Sequence, residues 1–433
     1  MLVRFTVSNC LSFSNKASLE MFSSANRDLK VQVWKSNSRH IPGILRSAFI
    51  FGPNASGKSN LIKIIDYARS VILGESNPLG KRTKYFKLNP DNEKKPSSFE
   101  FEILIDKSIF RFGFSVYEDI ISEEYLYQII STGEQLIYKR RYDKTTKNSI
   151  EFGDNFSSYR EDKFLDFILK GVPSNRLFLS ETVIRNVTYF QNIFDWFKKM
   201  VVIYPDSKFH KLNILLDNDE LIKKYEEMLK LCDTGISHVS IDQVDADELF
   251  DKIPPEIREK TNNESFESLS LISDERYGIN FKNGVNSAYK IKINHTIPSG
   301  KEKVSFNIHE ESDGTNRLFD LIPILDMIFQ DAVIIVDELD RSLHPLVSRF
   351  FIETFFRTNQ NNKAQLIVTT HDATLLDVSL LRRDSIWFVK KNHEMSSVLY
   401  SLEEYKKVRN DKALQKAYLA GLYGAIPLIR DKV

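Results

Sequence analysis

The segment Gly52–Ser59 constrains the fold more than any other part of this 433-residue sequence. It reads Gly-Pro-Asn-Ala-Ser-Gly-Lys-Ser and fits the GxxxxGK[ST] pattern known as Walker A. The apolar run Ser47–Phe51 precedes it, and apolar residues at helical spacing follow Lys58. Glycines let such a loop wrap around an anion, and N–H groups of the loop and the next helix then point at phosphate oxygens. The sequence therefore predicts an α/β fold in which a strand leads through this loop into a helix.

The whole loop is predicted to bind the phosphates of a nucleotide. Lys58 would neutralise the β- and γ-phosphates, and the Ser59 hydroxyl would ligate Mg²⁺. A tight strand–helix turn with a surface lysine is the alternative, but a chance match is rare in a chain with only 16 glycines. The predicted nucleotide-binding residues of the loop are Gly52, Pro53, Asn54, Ala55, Ser56, Gly57, Lys58, Ser59 and Asn60.

A second motif, Val333–Glu338, consists of four apolar residues and then two acids, which is typical of a Walker B strand. Asp337 would hold Mg²⁺ through water, and Glu338 would polarise the attacking water as general base. The apolar run Gln365–Thr369 predicts a neighbouring buried strand. His371 could be structural, but the end of an adjacent parallel strand would place it near the γ-phosphate as a switch. The predicted catalytic residues are Lys58, Glu338 and His371, and the predicted metal ligands are Ser59 and Asp337.

The segment Glu311–Thr315 precedes another stretch with apolar residues at helical spacing. Ser312 or Asp313 could simply cap that helix. Alternatively, a serine, a glycine amide and a helix N-terminus form a second phosphate-binding surface. Such a surface would serve a second copy of the chain, because it cannot reach the Walker A loop if both belong to one sheet. Pro323 inside the helix predicts a kink.

Alternating apolar residues predict strands through much of the chain. Two strands are expected in the first 25 or so residues. An antiparallel meander is expected from about 97 to 153, with a turn at Asp106-Lys107. Helices are predicted over 161–170 and 186–200, and a strand at Val201–Tyr204. After residue 285 the pattern becomes strand, strand, helix, strand, helix, strand, helix, strand. Its short apolar runs are typical of a parallel sheet covered on both faces.

The stretch 213–280 differs in composition from the rest of the chain. It holds 17 Asp and Glu against 7 Lys and Arg, a balance of −10 that +11 elsewhere offsets to give the net charge of +1. It starts with a predicted helix, Glu220–Leu231. We expect a mainly helical inserted arm outside the main core, either solvated or a docking surface for a partner with a basic face. The expected division is one part of the nucleotide-binding lobe at 1–212, the arm at 213–285 and the rest of the lobe at 286–433.

The composition is that of a globular protein, since apolar and aromatic residues are plentiful. The sequence has no run of about 18 apolar residues, so no membrane-spanning helix is expected. The alternating N-terminus is unlike a secretory leader. Cys10 and Cys232 cannot form a disulfide framework or a four-cysteine zinc site, so reduced thiols and a cytoplasmic location are expected. The basic run Lys139–Lys147 lies at a predicted hairpin turn, where a solvated tip is favoured over a phosphate-contacting patch.

Taken in order, these motifs resemble an ABC-type ATPase head. The order is Walker A, a long intervening segment, Ser-Asp-Gly-Thr, Val-Asp-Glu-Leu-Asp and Thr-Thr-His-Asp. The chain is similar to the heads of SMC proteins and OLD nucleases. It more closely resembles stand-alone prokaryotic AAA/ABC-like ATPases of phage-defence loci, such as RloA, the AbiL ATPase and the ATPase of PARIS systems. The segments that carry the resemblance are Phe5–Phe13, Gly52–Asn60, Glu311–Arg317, Val336–Pro345, Thr369–Asp372, Ile386–Val389 and Tyr418–Pro427.

The resemblance implies an ABC-type P-loop NTPase head with a mixed or parallel core sheet, which binds ATP and Mg²⁺. Two heads would sandwich two nucleotides. The signature residues Ser312, Gly314 and Thr315 of one chain would contact the γ-phosphate bound at Lys58 of the other. Asp340 would be the D-loop acid at the same interface, and Pro345 would start the next helix.

Departures from the family's pattern bear on the expected function. Glu311 stands where transporter signatures have a leucine, which argues against a transporter subunit. Gln128 and Gln135 both fall in the predicted meander, so the Q-loop glutamine is not identified. Cys10 replaces an aromatic residue of the opening motif, a change expected to affect packing alone.

Two functions are therefore expected. The first is ATP hydrolysis by a nucleotide-dependent switch or sensor for a separate effector such as a nuclease, in anti-phage defence through abortive infection. It is motivated by an ATPase core with about 60 residues after His371, too few for a nuclease domain. The alternative is an SMC-like DNA-engaging ATPase in repair or restriction, which the arm and the basic run would support. Either would be a homodimer or a higher oligomer formed through nucleotide-sandwiched heads, with no membrane partner.

Overall fold

The computed structural model describes residues 1–26, 28–36, 43–75, 84–145, 147–154, 163–207, 219–245, 266–272, 275–282, 285–297, 299, 303–405 and 414–427. The strands, in chain order, are β1 (Leu2–Ser8), β2 (Ala17–Glu20), β3 (Val33–Trp34), β4 (Ile44–Leu45), β5 (Ser47–Phe51), β6 (Ser97–Ile105), β7 (Ser108–Tyr117), β8 (Ile120–Ile130), β9 (Gly133–Asp143), β10 (Lys147–Phe152), β11 (Met200–Ile203), β12 (Ile236–Val244), β13 (Phe266–Ile272), β14 (Glu275–Lys282), β15 (Val285–Thr296), β16 (Lys303–Asn307), β17 (Val333–Val336), β18 (Gln365–Thr369), β19 (Ile386–Lys391) and β20 (Ser397–Ser401). The α-helices are α1 (Lys58–Leu73), α2 (Lys163–Gly171), α3 (Phe178–Ile184), α4 (Gln191–Lys198), α5 (Asp219–Leu231), α6 (Asp313–Leu321), α7 (Pro345–Thr358) and α8 (Leu414–Leu419).

The chain forms two compact units. The first contains Met1–Tyr204, Ile328–Leu339 and Phe351–Val433, and the second contains Pro205–Met327 and Asp340–Phe350. The predicted division into 1–212, 213–285 and 286–433 followed composition and motif order rather than packing, and it stays a prediction. None of the helices in the described part of the chain has the length and apolar character needed to cross a membrane.

An antiparallel sheet in the first unit has the strand order β10-β9-β8-β7-β6-β1-β2. The predicted meander is confirmed as β6–β10, and residues 106–107 join its first two strands. The N-terminal strands extend this sheet, because β1 pairs with β6 and places Phe5 opposite Phe101. The two rings lie 4.7 Å apart, and Phe197 of α4 packs on Phe101 at 5.1 Å. The period-2 pattern thus places one apolar face against a helix.

The second sheet of this unit has the order β11-β17-β18-β5-β19-β20. All neighbours are parallel except β19 and β20. Every residue of β5, β17 and β18 is buried, which confirms the predicted parallel sheet with both faces covered. Because parallel strands end at one edge, this order places the segments after β17, β18 and β5 side by side.

Two helix predictions in the first unit differ from the structure. The helix expected between β18 and β19 is absent, and described residues 370–385 contain short 3₁₀ turns at Ala373–Leu375 and Arg383–Ser385. Asp372 and Asp377 accept hydrogen bonds from backbone N–H groups two residues later, which favours turns over a helix. The helix predicted over 186–200 is shorter, because a 3₁₀ turn precedes α4. The segment predicted as 161–170 forms α2.

Within residues 219–245, 266–272 and 275–280, which the structure describes, the acidic segment is not mainly helical, contrary to the prediction. Its predicted helix is confirmed as α5, but β12, β13 and β14 follow and pair with β15 in the order β12-β15-β14-β13. Val239 and Ile241 of β12 lie opposite Ile293 and Ile291 of β15. Alternating apolar residues of this kind have the period of a strand, whatever the charge between them.

The acidic segment belongs to the second unit, where its apolar residues are buried in a hydrophobic cluster. Its helix α5 and strand β12 share a hydrophobic cluster with α6, the helix that begins within the Ser-Asp-Gly-Thr motif. The rings of Tyr225 and Phe319 lie 5.3 Å apart, and the Tyr225 hydroxyl donates to the Phe319 carbonyl. The buried members of the cluster are Leu221, Tyr225, Leu229, Ile236, Val239, Ile291, Ile293, Ile308, Leu318, Phe319 and Ile322.

The kink predicted at Pro323 takes the form of a change in helix type. The α6 helix ends at Leu321, and a 3₁₀ segment runs from Ile322 to Gln330. Proline has no N–H to donate to the preceding turn, and its ring clashes with the carbonyl four residues back, so the α-helix cannot continue.

A buried ion pair ties the meander to α3. Glu124 of β8 is fully buried and accepts hydrogen bonds from Tyr138 Oη at 2.8 Å and Arg140 Nη1 at 3.2 Å. It also accepts from the backbone N–H groups of Phe178 and Leu179 at the start of α3. Burial and the Glu124 carboxylate raise the pKa of Tyr138, so its hydroxyl remains a donor.

Replacing Glu124 with Gln is expected to lower the free energy of unfolding by about 3–5 kcal/mol, because Arg140 would remain as a buried charge without its carboxylate. Thermal and urea unfolding of Glu124→Gln measure this loss. The matched control is Glu123→Gln on the same strand, where the carboxylate is 33% exposed and pairs with Lys139 and Arg141. The control substitution should lower the free energy of unfolding by less than about 1 kcal/mol. Equal losses for the two variants would contradict the structural role of Glu124.

Candidate functional site

The Walker A loop, the two acids after β17 and the histidine after β18 meet at the carboxyl edge of the parallel sheet. There the loop, Glu338 and His371 surround a cavity of about 380 Å³. The sheet order explains the meeting, since β18 lies between β17 and β5. The residues that line the cavity are Asn54, Ala55, Ser56, Gly57, Lys58, Ser59, Asn60, Glu338 and His371.

The loop is wrapped closely enough that Gly57 has no room for a side chain. Its φ is +113°, in the region that favours glycine. A Cβ atom there would lie 2.2 Å from Ser397 Oγ and 2.7 Å from Ser12 Oγ. Gly57 is also the residue before α1, so the helix N-terminus opens directly from the loop. A tight loop that leads into a helix N-terminus is an arrangement in which backbone N–H groups can bind an anion.

The ammonium group of Lys58 lies inside the loop. The side chain is buried, and its Nζ donates to the carbonyl oxygens of Gly52 at 2.8 Å and Pro53 at 3.1 Å. It lies 3.5 Å from Nδ1 of His371. The structure therefore brings together two of the predicted catalytic residues from segments more than 300 positions apart, and each keeps its role as a prediction.

Asp337, Ser59 and Thr369 form a hydrogen-bonded group beside the loop. The Oδ1 atom of buried Asp337 accepts from Ser59 Oγ at 3.2 Å and from Thr369 Oγ1 at 2.5 Å. Thr369 Oγ1 in turn accepts from the backbone N–H of Glu338 at 2.8 Å. The sequence predictions assigned no role to Thr369, although a polar residue at the end of an apolar strand was a usable signal.

A hydroxyl and a carboxylate in contact are the oxygen donors that Mg²⁺ takes in nucleotide sites, so Ser59 and Asp337 fit the predicted metal. Among the described residues, no group of three or more His, Cys, Asp or Glu side chains is placed to hold a metal ion. A magnesium ion at this edge would thus take its remaining ligands from phosphate and water, as Mg²⁺ commonly does.

Glu338 has the strained backbone found at many functional positions. Its φ is +50°, which is uncommon for a residue with a side chain. The backbone N–H contact with Thr369 helps to hold this conformation. The side chain lines the cavity together with Lys58 and His371. A carboxylate at this place can accept a proton from a water molecule bound in the cavity.

The hairpin between β19 and β20 supports the loop from outside, which sequence reasoning missed. Ser397 Oγ donates to the Ser56 carbonyl at 2.6 Å, and Lys391 Nζ donates to Ser397 Oγ at 3.1 Å. The Ser397 N–H donates to the carbonyl of Ser12, in the opening motif of the chain, at 2.7 Å. The opening motif Phe5–Phe13 therefore contributes to the loop's support, a role that its sequence did not indicate.

The closing motif packs behind the strand that enters the loop. The Tyr418 and Tyr423 rings stack on Phe388 of β19 at 5.8 and 5.2 Å. Tyr418 also lies 6.2 Å from Phe51, the last residue of β5. The Tyr400 hydroxyl donates to the Tyr423 carbonyl at 2.6 Å. This aromatic cluster anchors the C-terminal segment to the core and gives the motif a structural role.

The predicted signature residues belong to the second unit and do not line the cavity. Ser312 is exposed and caps α6, since its Oγ accepts from the Thr315 N–H at 3.1 Å. This confirms the capping alternative and leaves the phosphate-binding prediction untested. Thr315 is buried, and its hydroxyl contacts that of Ser312 at 2.9 Å. A Cβ on Gly314 would lie 2.8 Å from the carbonyl oxygen of Ser342. Only glycine therefore lets the start of α6 lie this close to the backbone of Ser342.

The predicted D-loop residue Asp340 also lies in the second unit. Its carbonyl accepts from the Leu343 N–H at 3.1 Å, and the neighbouring Arg341 pairs with Asp206 at 3.1 Å. The next helix, α7, starts at Pro345 as predicted. A turn of this kind can present an acid next to the signature helix, and the role of Asp340 stays a prediction.

The basic run is only partly a solvated hairpin tip. Its first residues lie in β9 rather than in the turn, and Arg140 is buried. Each of four basic side chains pairs with a carboxylate: Lys139 and Arg141 with Glu123, Arg140 with Glu124, and Lys144 with Glu118. These pairs neutralise much of the charge that a phosphate-contacting patch would need.

Neither cysteine is a reactive thiol. Burial raises the pKa of Cys10 to about 12 and that of Cys232 to about 11, and both are free. Neither Q-loop candidate lines the cavity. Gln128 donates to Ser108 Oγ at 3.3 Å and lies opposite Gln135 in the β8–β9 pair.

The family model described as "AAA domain, putative AbiEii toxin, Type IV TA system" matches residues 47–377, a range that includes the Walker A loop and His371. No curated protein is significantly similar in sequence to the chain.

Solved structures with a similar arrangement include three heads of SMC proteins. The SMC head domain from Thermotoga maritima is 12% identical, with 92% of this chain and 98% of that chain covered and a TM-score of 0.38. An SMC head bound to the C-winged helix domain of ScpA is 15% identical, with coverages of 93% and 99% and a TM-score of 0.43. An SMC head with an extended coiled coil, bound to the C-terminal domain of ScpA derived from Pyrococcus furiosus, is 14% identical, with coverages of 94% and 98% and a TM-score of 0.40.

Proposed function

The chain belongs to this family of AAA domains, and from that premise we propose that it hydrolyses ATP and acts as a nucleotide-dependent switch or sensor for a separate effector. The predicted resemblance to AAA/ABC-like ATPases is confirmed at the level of the family. The observation that carries the proposal is the cavity at the sheet edge, where Lys58, Glu338 and His371 face the same space beside Asp337.

ATP would bind with its phosphates in the Walker A loop. Backbone N–H groups of the loop and the N-terminus of α1 offer donors to the phosphate oxygens. Lys58 would exchange its bonds to the loop's own carbonyls for bonds to the β- and γ-phosphates. Ser59 and Asp337 would hold Mg²⁺, which neutralises phosphate charge and aligns the β- and γ-oxygens.

Hydrolysis would depend on Glu338. Its carboxylate would accept a proton from the attacking water, while Lys58 stabilises the charge that develops on the departing γ-phosphoryl group. Thr369 orients both acids, because it bonds to the Asp337 carboxylate and to the Glu338 backbone at once. His371, 3.5 Å from Lys58 Nζ, would report the presence of the γ-phosphate to the segment after β18.

A second copy of the chain would complete the site. Ser312 is exposed at the N-terminus of a nine-residue helix, and Gly314 brings that helix against Ser342. These features support a phosphate-binding surface that meets the nucleotide of another chain. Thr315 would act by orienting Ser312, since its side chain is buried, and Asp340 would lie at the same interface.

The biological setting is proposed from the family and from the sequence resemblance. The family description names a putative toxin of a type IV TA system, which supports a role in a system of more than one component. We place the chain in the cytoplasm, in anti-phage defence through abortive infection, with a separate effector protein such as a nuclease. A DNA-engaging ATPase in repair or restriction is the alternative, and the paired charges of the basic run give it little support.

The purified chain is expected to release phosphate from Mg²⁺–ATP, and Lys58→Ala should weaken ATP binding by about 10–100-fold. A hydrogen bond to a charged group contributes about 1.5–3 kcal/mol, which corresponds to that range. Titration with a fluorescent ATP analogue measures affinity, and phosphate release measures turnover. Lys63→Ala, an exposed lysine on the same helix, is the matched control. Equal affinity for ATP in wild type and Lys58→Ala would contradict the site, and stimulation of turnover by DNA would favour the alternative.

A further inference from the structure

Glu311, the residue that departs from transporter signatures, is held by a histidine. The Nε2 atom of His295 lies 2.6 Å from Oε1 of Glu311, and the Glu311 side chain is only 10% exposed. The other ring nitrogen, Nδ1, lies 3.1 Å from the carbonyl of Gly235. Both ring nitrogens thus lie within hydrogen-bond distance of oxygen atoms. The ring edge also packs on Phe306 at 5.1 Å, which limits its rotation.

His295 is placed in the middle of the second unit's sheet. It lies on β15, opposite Ile236 of β12 on one side and Val304 of β16 on the other. Gly235 is the residue before β12, at the turn from α5, and has a φ of +74°. Through its two ring nitrogens, His295 therefore connects the turn of the acidic segment with the first signature residue.

The position of Glu311 determines the position of the signature that follows it. Its carbonyl accepts from Asn316 Nδ2 at 3.1 Å, and its N–H donates to the Ile308 carbonyl at 3.3 Å. Ser312, the next residue, caps α6. A shift of the Glu311 backbone would thus move the Ser312 hydroxyl and the first N–H groups of α6 together.

We propose that His295 is a positioning residue, which holds Glu311 so that Ser312 and Gly314 meet the nucleotide bound by a second copy of the chain. The proposal rests on the proposed function, because it needs a signature that acts on another chain. Its link to Gly235 also makes the turn after α5 a point from which a partner on the acidic segment could move the signature. His295 does not line the cavity at the Walker A loop.

The chain offers a matched control for the chemistry of this pair. His238 of β12 pairs through Nδ1 with Glu226 of α5 in the same unit, and Glu226 also accepts from the Val239 N–H at 3.0 Å. Both pairs join a strand histidine to a partly buried glutamate, with 10% and 13% exposure of the carboxylate side chains. The control pair involves no signature residue, so it reports the general cost of losing a histidine–glutamate contact.

The test measures ATP-dependent dimerisation and ATP affinity in a Glu338→Gln background, which slows hydrolysis. Sedimentation with ATP gives the dimer dissociation constant, and a fluorescent ATP analogue gives affinity for the single chain. His295→Ala should weaken dimerisation by about 10–100-fold, the effect on affinity of losing one hydrogen bond to a charged group. ATP affinity should be unchanged, and His238→Ala should leave both quantities unchanged.

Two further variants separate positioning from simple damage to the fold. Glu311→Ala should match His295→Ala, and the double variant should be no weaker than either one, because both remove the same contact. His295→Gln keeps an N–H donor and should recover part of the dimerisation. The proposal would be overturned if the losses of dimer affinity in His295→Ala and Glu311→Ala added up in the double variant. Equal losses of dimer affinity in His295→Ala and His238→Ala would also overturn it. A Glu338→Gln chain that binds ATP but never dimerises would instead reject the proposed function, before any His295 variant is compared.

Discussion

Replacing Glu338 with Gln is expected to reduce ATP hydrolysis by about 10²–10⁴-fold, the usual contribution of a general base. ATP binding should remain, because the loop, Lys58 and the Asp337–Ser59 pair are untouched. Glutamine keeps the size of the side chain and the backbone contact with Thr369, but it cannot accept a proton from water. The ATP-bound dimer should therefore accumulate.

Single-turnover phosphate release and ATP titration on the same preparation distinguish the two effects. The matched control is Glu394→Gln, an exposed glutamate in the β19–β20 hairpin that does not line the cavity. That variant should hydrolyse ATP like the wild type. Undiminished turnover in Glu338→Gln would remove Glu338 as the base, and lost ATP affinity would show that the substitution disturbs binding.

Mixing two inactive chains should restore hydrolysis if two copies share each site. Lys58→Ala lacks the phosphate-binding lysine, and Ser312→Arg places a bulky cation where the signature would meet phosphate. Each variant alone should be nearly inactive. In an equal mixture, half of the dimers contain both chains, and each has one intact site, so about a quarter of the wild-type activity should return.

The control mixture combines Lys58→Ala with Glu338→Gln. Both substitutions damage the same cavity of one chain, so no mixed dimer regains an intact site. Phosphate release is measured over a range of mixing ratios. The thermal stability of each variant is also measured, because Ser312→Arg removes a helix cap worth about 1 kcal/mol. Recovery in both mixtures, or in neither, would contradict a site completed by the second chain.

Local patterns predicted the elements that depend on residues close in sequence. The period-2 alternation after residue 97 forms β6–β10, and the apolar run before Gly52 forms β5. The Walker A glycines, the acids after β17 and the histidine after β18 could be placed at one sheet edge, because parallel strands end together. The structure brings Lys58, Glu338 and His371 around one cavity, as that argument required.

Composition was a poor guide to the acidic segment. Its charge suggested a mainly helical arm, whereas the described part contains β12, β13 and β14, and α5 and β12 share a hydrophobic cluster with α6. Charged residues between apolar ones do not prevent a strand from burying one face. The same limit applies to Arg140, which composition placed at a solvated tip and which pairs with buried Glu124.

The sequence by itself determined the phosphate loop, the acids beside it and the sheet that holds them, because each depends on residue types at short, regular spacing. Only the tertiary structure decided which distant polar groups support them. Ser397 bonds to Ser56, Thr369 aligns Asp337 with Glu338, and His295 holds Glu311. Such contacts produce no regular pattern in the sequence, because each buried donor or acceptor bonds to whichever partner the packed chain brings within about 3 Å.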